Sequence, residues 1–114
     1  ECNQPLYQES VVEAFLTSRC DVGFQNYTEL EVSPKGVLFA ARVYNPNLDC
    51  PGIVDTLIDC DETGITWDAQ ISKPTERFWA YMKIPWAFID KKDCSHSKTL
   101  YGNFFRIDTP LGYD

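Results

Sequence analysis

The sequence predicts an all-β protein, an antiparallel β-sandwich or jelly roll with one short helical turn. Three observations carry this expectation. Several short runs alternate apolar and polar residues with a period of two, turn residues separate those runs at regular intervals, and Tyr27 to Tyr44 reads as a complete hairpin. In YTELEVSPKGVLFAARVY, Pro34 presets the first central turn position and Gly36 tolerates a positive φ. Strand side chains alternate, so Tyr27, Glu29 and Glu31 share one face, and Thr28, Leu30 and Val32 share the other. In the second strand Val37, Phe39, Ala41 and Val43 oppose Leu38, Ala40, Arg42 and Tyr44.

The other elements follow from the same reasoning. Residues 1–10 are polar around a Pro5-Leu6-Tyr7 turn. VVEAFLT (11–17) is a strand with Val12, Ala14 and Leu16 on one face and Val11, Glu13 and Phe15 on the other. Cys20 to Asn26 is a loop. Asn45-Pro46-Asn47 ends the hairpin, since Pro removes a backbone donor and Asn favours turns. A strand is expected between Cys50 and Cys60, and an acidic turn at 61–64. ITWDAQI (65–71) and RFWAYMKI (77–84) alternate as half-buried antiparallel strands. The second has Phe78, Ala80, Met82 and Ile84 inward and Arg77, Trp79, Tyr81 and Lys83 outward. Pro85 opens a single helical turn over WAFID. A polar loop carries Cys94 and His96, YGNFFRID (101–108) is the last strand, and TPLGYD is a tail.

Composition narrows the function. A chain of 114 residues that is 44% hydrophobic suits one domain, 1–114, with one core. A net charge of −7 argues against nucleic acid, because binding phosphate needs a basic surface. No apolar run is long enough to span a bilayer. The 5 cysteines, Cys2, Cys20, Cys50, Cys60 and Cys94, include no CxxC pair, and His96 is the sole histidine. Structural disulfides in an oxidising compartment therefore fit better than zinc. Strand-bracketing pairs (Cys2 with Cys20, Cys50 with Cys60) are disfavoured by the length of an extended strand. The expectation is instead that Cys50 or Cys60 ties its loop to a neighbouring one, and that at least one cysteine pairs outside this segment. Asn26-Tyr27-Thr28 is an N-glycosylation sequon, in keeping with a secreted protein.

Four blocks, VVEAFL (11–16), YTELEVSPKGVLFAARV (27–43), FWAYMKIPWAFI (78–89) and GNFFRID (102–108), together resemble the family 9 carbohydrate-binding module and its wider group of DOMON-like β-sandwiches. The family pattern is a Val-Glu-x-Phe strand, a Tyr-x-Glu-x-x-x-Ser-Pro-x-Gly hairpin, an aromatic strand ending in Ile-Pro-aromatic, and an Asn-x-x-Arg strand. The resemblance implies an extracellular, non-catalytic β-sandwich that binds a saccharide or glycan, with no cofactor. Family members carry further strands before the Val-Glu-x-Phe block. This chain is therefore expected to be the C-terminal portion of such a domain, incomplete on its N-terminal side, with a covalent or non-covalent partner supplying the upstream strands. The paired tryptophans with which xylanase-borne members clamp a sugar have no residue-by-residue match here.

Saccharides are held by flat aromatic faces and by charged or amide groups on their hydroxyls. The expected carbohydrate-binding residues are Glu13, Glu31, Trp79, Tyr81, Asn103 and Arg106, with Glu29, Arg42, Tyr44 and Lys83 on the same polar-aromatic face. A bulge would be needed to bring Asn103 and Arg106 together. The resemblance weights Glu13 and Arg106 most heavily. The plainer alternative is a solvated sheet face on which Glu13 or Glu31 pairs with Arg106. Trp67 is expected in the core, and Trp86 as the aromatic that packs the short helix. Met82 and His96 could in principle ligate haem, but a core methionine and a surface histidine are simpler. Asp59, Asp61 and Glu62 lack EF-hand spacing and read as an exposed acidic loop. Glycoside hydrolysis needs two carboxylates across a cleft, and Glu29 and Glu31 on one strand face do not supply that. The competing function is a structural or adhesive glycoprotein module with a degenerate sugar site that packs against neighbouring subunits.

Overall fold

The computed structural model describes residues 2–4, 6, 9–18, 25–49, 52–75, 77–89 and 99–109. Residues 20–24 of the expected Cys20–Asn26 loop, the loop bearing Cys94 and His96, the tail at 110–114, and Cys50 lie outside the described residues. The protein is all-β and antiparallel. Strands β1 (Val11–Ser18), β2 (Asn26–Val32), β3 (Leu38–Tyr44), β4 (Val54–Leu57) and β7 (Leu100–Ile107) form a five-stranded sheet in the order β4-β3-β2-β1-β7. Strands β5 (Thr66–Ser72) and β6 (Arg77–Lys83) form a separate two-stranded sheet.

The hairpin at the centre forms as the alternation predicts. Glu31 faces Phe39 and Leu30 faces Ala40 across β2 and β3. The turn closes with Gly36 N donating to the Ser33 carbonyl at 2.9 Å and Val37 N donating to Ser33 Oγ at 3.3 Å. Gly36 has φ +79°, a conformation that a Cβ would strain.

Register then sorts the five-stranded sheet into two faces. The inner face carries Ala14, Leu16, Leu30, Val32, Leu38 and Ala40, all buried in the main core. Trp67, Ala69, Ala80 and Met82 of the two-stranded sheet pack against it. Trp67 is thus a core residue, and its Nε1 donates to the Gly36 carbonyl at 3.0 Å. Met82 is likewise a packing residue. The second layer is narrow, with two strands facing five. All eight residues of β7 remain exposed, including Phe104 on the inner side at 70%.

Two short helices close the core. The expected acidic turn is α1 (Cys60–Thr63), capped by Asp59, whose side chain accepts from Asp61 N, and ended by Gly64 at φ 70°. Asp59 therefore serves as a helix cap. In α2 (Trp86–Ile89) the buried aromatic is Phe88 at 5% exposure, while Trp86 is 37% exposed. The expectation that Trp86 packs this helix is corrected. With Pro85 just before the helix, the third helical residue, not the first, turns toward the core.

The N-terminal end is stitched to β3. Asn3 N donates to the Leu38 carbonyl, Asn3 Oδ1 accepts from Ala40 N, and Asn3 Nδ2 donates to the Ile58 carbonyl. Beside it Cys2 and Cys60 form a disulfide. Cys60 thus ties its segment to a neighbouring one, as expected of Cys50 or Cys60. This bond closes a long loop, with a sequence separation of 58. Replacing both Cys2 and Cys60 by Ser is expected to lower the unfolding free energy by about 2–4 kcal/mol. Urea midpoints of the two proteins check it, and equal midpoints would mean that the Asn3 hydrogen bonds alone hold this end.

Candidate functional site

The outer face of the five-stranded sheet, opposite the main core, is the distinctive surface. Position 13 of β1 lies across from Glu31 of β2, and Phe15 from Glu29. On the other side Glu13 lies across from Phe105 of β7, and Phe15 from Asn103. One strip of sheet therefore presents Glu13, Glu29 and Glu31 beside Phe15, Asn103 and Phe105.

The three carboxylates form a cluster. Each offers an oxygen, and these atoms all lie within 4.8 Å of one another. Glu31 is 7% exposed, whereas Glu13 and Glu29 are half-buried. Burial pushes the Glu31 carboxyl up to about 8, and the neighbouring Glu29 and Glu13 push it the same way. Glu29 is also raised, first by burial and then by Asp55 and Glu13, with the hydrogen bond from Glu31 opposing. The hydrogen bond between the two side chains favours the protonated form of Glu31 and the ionised form of Glu29.

Along the same face lies an open pocket of about 300 Å³ lined by Phe15, Leu16, Thr17, Tyr27, Tyr101, Gly102, Asn103 and Phe105. Phe15 packs edge-on against Tyr27 at 6.0 Å and against Phe105 at 5.7 Å between ring centroids. Asn103 Oδ1 accepts from Phe104 N at 3.1 Å, which orients its amide at the pocket wall.

The residues expected to bind sugar do not form one patch. Glu13, Glu31 and Asn103 share the outer face. Trp79 and Tyr81, 52% and 47% exposed, lie on the far side of the two-stranded sheet with Lys83. Arg106 falls on the inner face because β1 and β7 pair without a bulge from Val11–Ile107 to Ser18–Leu100. Its guanidinium binds Asp108 at 3.0 Å and sits 5.3 Å from the Phe78 ring. It pairs with neither Glu13 nor Glu31. Arg42 is also on the inner face, donating to Thr28 Oγ1 and the Phe88 carbonyl and lying 4.3 Å from the Phe88 ring. Burial draws its guanidinium below its ordinary value. Asn26 is exposed at the start of β2.

Sequence reasoning missed Phe15, Tyr27, Tyr101 and Phe105 as pocket walls. The available signal was their shared parity with Glu13, Glu29 and Asn103 along β1, β2 and β7. Comparison with protein-family models, curated proteins and solved structures finds no match in any of the three. The resemblance to carbohydrate-binding modules stands on the four sequence blocks.

The proton on Glu31 sets a pH dependence. Its pKa is higher folded than the ordinary 4.5 of the unfolded chain, so the folded state binds the extra proton between these values. Stability is expected to fall as pH rises from about 4.5 through about 8. Glu31→Gln removes most of that slope and is relatively more stable above it. Melting midpoints across this range test the point, and identical slopes in both proteins would refute it.

Proposed function

We propose that this chain is a non-catalytic saccharide-binding domain whose site is the outer-face pocket of β1, β2 and β7. The observation that carries the reading is the pocket itself. Four aromatic rings, Phe15, Tyr27, Tyr101 and Phe105, wall a space of about 300 Å³ beside the amide of Asn103. Rings take the C–H faces of a sugar, and amide and carboxylate groups take its hydroxyls. Glu29 lies directly across from Phe15, and Glu13 directly across from Phe105. The clustered glutamates rise side by side from one sheet face, and this supports binding over glycoside hydrolysis, which sets its carboxylates on either side of the scissile bond. The Cys2–Cys60 disulfide and the exposed sequon residue Asn26 support an extracellular setting.

Glycan-array binding by the intact chain tests the reading. Phe105→Ala and Asn103→Ala are each expected to weaken binding about fivefold, since a ring contact or a hydrogen bond is worth about 1 kcal/mol. Trp79→Ala and Arg106→Ala, on other surfaces, leave it unchanged. Absence of binding to any glycan, or loss only in Trp79→Ala, would move the site elsewhere.

A second reading, a structural or adhesive module that packs against neighbouring subunits, is favoured by one observation. β7 is an edge strand whose Tyr101, Phe104, Phe105 and Ile107 are 43%, 70%, 46% and 42% exposed. On that reading the chain self-associates or takes a partner strand along β7. Phe104→Lys, which does not touch the pocket, then abolishes the association seen by sedimentation and spares any glycan binding.

A further inference from the structure

We infer that Asn26 carries an N-linked glycan whose first sugar packs on the ring of Tyr44, at the end of the five-stranded sheet. The inference rests on the extracellular setting of the saccharide-binding reading and makes no use of the pocket.

The attachment chemistry is encoded in Asn26-Tyr27-Thr28. The donor is an oligosaccharide held on a lipid diphosphate. The Asn26 amide nitrogen attacks the anomeric carbon of the first sugar. A C–N bond forms, the bond from that carbon to the diphosphate oxygen breaks, and the amide gives up one proton. Nothing is oxidised or reduced. The transferase reads the hydroxyl of the third residue, and in the folded chain that hydroxyl is out of reach. Thr28 is 2% exposed, and its Oγ1 accepts from Arg42 Nη1. Transfer therefore precedes the pairing of β2, and the fold must leave room for the product. It does so, because Asn26 itself is exposed at the start of the strand. The Cys2–Cys60 disulfide fits the oxidising compartment in which this transfer takes place.

The strand register supplies the second observation. Asn26 lies across from Tyr44 of β3, and Tyr44 lies across from Val54 of β4. Residues directly opposite in antiparallel strands point to the same side, with Cβ atoms about 4.5–5.5 Å apart. By alternation from Thr28 and Leu30 this is the inner side of the sheet, but the second layer stops short of it. Tyr44 is 48% exposed and Val54 57%. An aromatic ring and an aliphatic side chain thus stand in a row beginning at the attachment point. The C–H face of a sugar covers such a ring well.

The attachment point and the ring keep their spacing. Thr17 Oγ1 donates to the Asn26 carbonyl at 3.0 Å, and Asn45 N donates to the Gln25 carbonyl at 2.6 Å. Gln25 Nε2 donates to the Pro46 carbonyl at 3.0 Å. Tyr27 faces the other way and walls the outer pocket. The glycan and the pocket therefore occupy opposite sides of the sheet.

The test uses the full chain secreted from eukaryotic cells. Intact mass before and after peptide N-glycosidase is expected to show one glycan, absent from Asn26→Gln. Urea unfolding of the glycosylated chain, Asn26→Gln, Tyr44→Ala and the double variant then measures the contact. The glycan is expected to lower the unfolding equilibrium constant about fivefold in the parent and to have no such effect in Tyr44→Ala. Enzymatic removal of the glycan from the folded parent gives the same comparison should Asn26→Gln not fold. The inference is overturned by a secreted, disulfide-bonded chain without sugar at Asn26, or by a glycan whose stabilising effect is the same with and without Tyr44. Glycan-array binding is unchanged in Asn26→Gln, so a failure of the pocket reading and a failure at Asn26 are read separately.

Discussion

Everything in this structure depends on the register of β2 between β1 and β3. β2 is the central strand of its sheet, and its two faces make opposite demands. Leu30 and Val32 are fully buried in the main core, while Glu29 and Glu31 point to the other side. A slip of one residue would exchange the faces, driving two carboxylates into an apolar core and two aliphatic side chains out of it. The Ser33–Gly36 turn guards against that slip, and Trp67 of the second sheet fastens to the Gly36 carbonyl at 3.0 Å. A contact between the layers thus stabilises the hairpin that defines the outer face.

The same register explains why an acidic residue is buried at all. In a central strand both flanks are filled, here by Glu13 and Phe39. Leu6 packs with Val11, Val37 and Phe39 at the same end of this face. Glu31 is therefore covered from the side although no second sheet lies over it. Its neighbours are acids, so its ionised form is disfavoured twice, by lost hydration and by like charge. An apolar residue would satisfy packing at this position at less cost. The cluster makes physical sense only where a proton accompanies it.

Much of the fold was legible in the sequence because alternation is a local property. The central hairpin, the inward set Phe78, Ala80 and Met82, and the core placement of Trp67 all follow from parity within single strands. What parity does not reveal is pairing. Nothing local places Glu13 across from Glu31, or puts β5 and β6 in a sheet of their own. Nor does it reveal that regular pairing of β1 with β7 sends Arg106 to the Phe78 side. The Cys2–Cys60 bond was hidden for the same reason, since its partners are far apart along the chain. Trp86 and Phe88 were exchanged because the phase of a single helical turn is set by what it packs on. The candidate site was legible in part. Glu13 and Glu31 were named from residue type and parity and Asn103 from the resemblance, and only the pairing of the strands puts the three on one face, whereas the aromatic walls emerged only with the strand order.

That strand order also determines what kind of saccharide site is possible. Trp79 and Tyr81 lie beyond the second sheet, and packed sheets stand about 10 Å apart before the outward side chains are added. A ring stacked on Trp79 is thus separated from Asn103 by both layers, and no single sugar residue touches both. A ligand must choose between a flat, solvent-facing pair of rings flanked by Arg77 and Lys83 and a walled pocket flanked by carboxylates. The first offers stacking on an exposed face flanked by basic side chains. The second surrounds its occupant on several sides and sets polar groups at fixed positions on paired strands, the arrangement that confers orientation as well as affinity. The choice of the pocket therefore rests on enclosure and rigidity. On the proposed saccharide-binding reading it carries a charge consequence too, because adjoining glutamates would disfavour acidic sugars relative to neutral or amino-bearing ones.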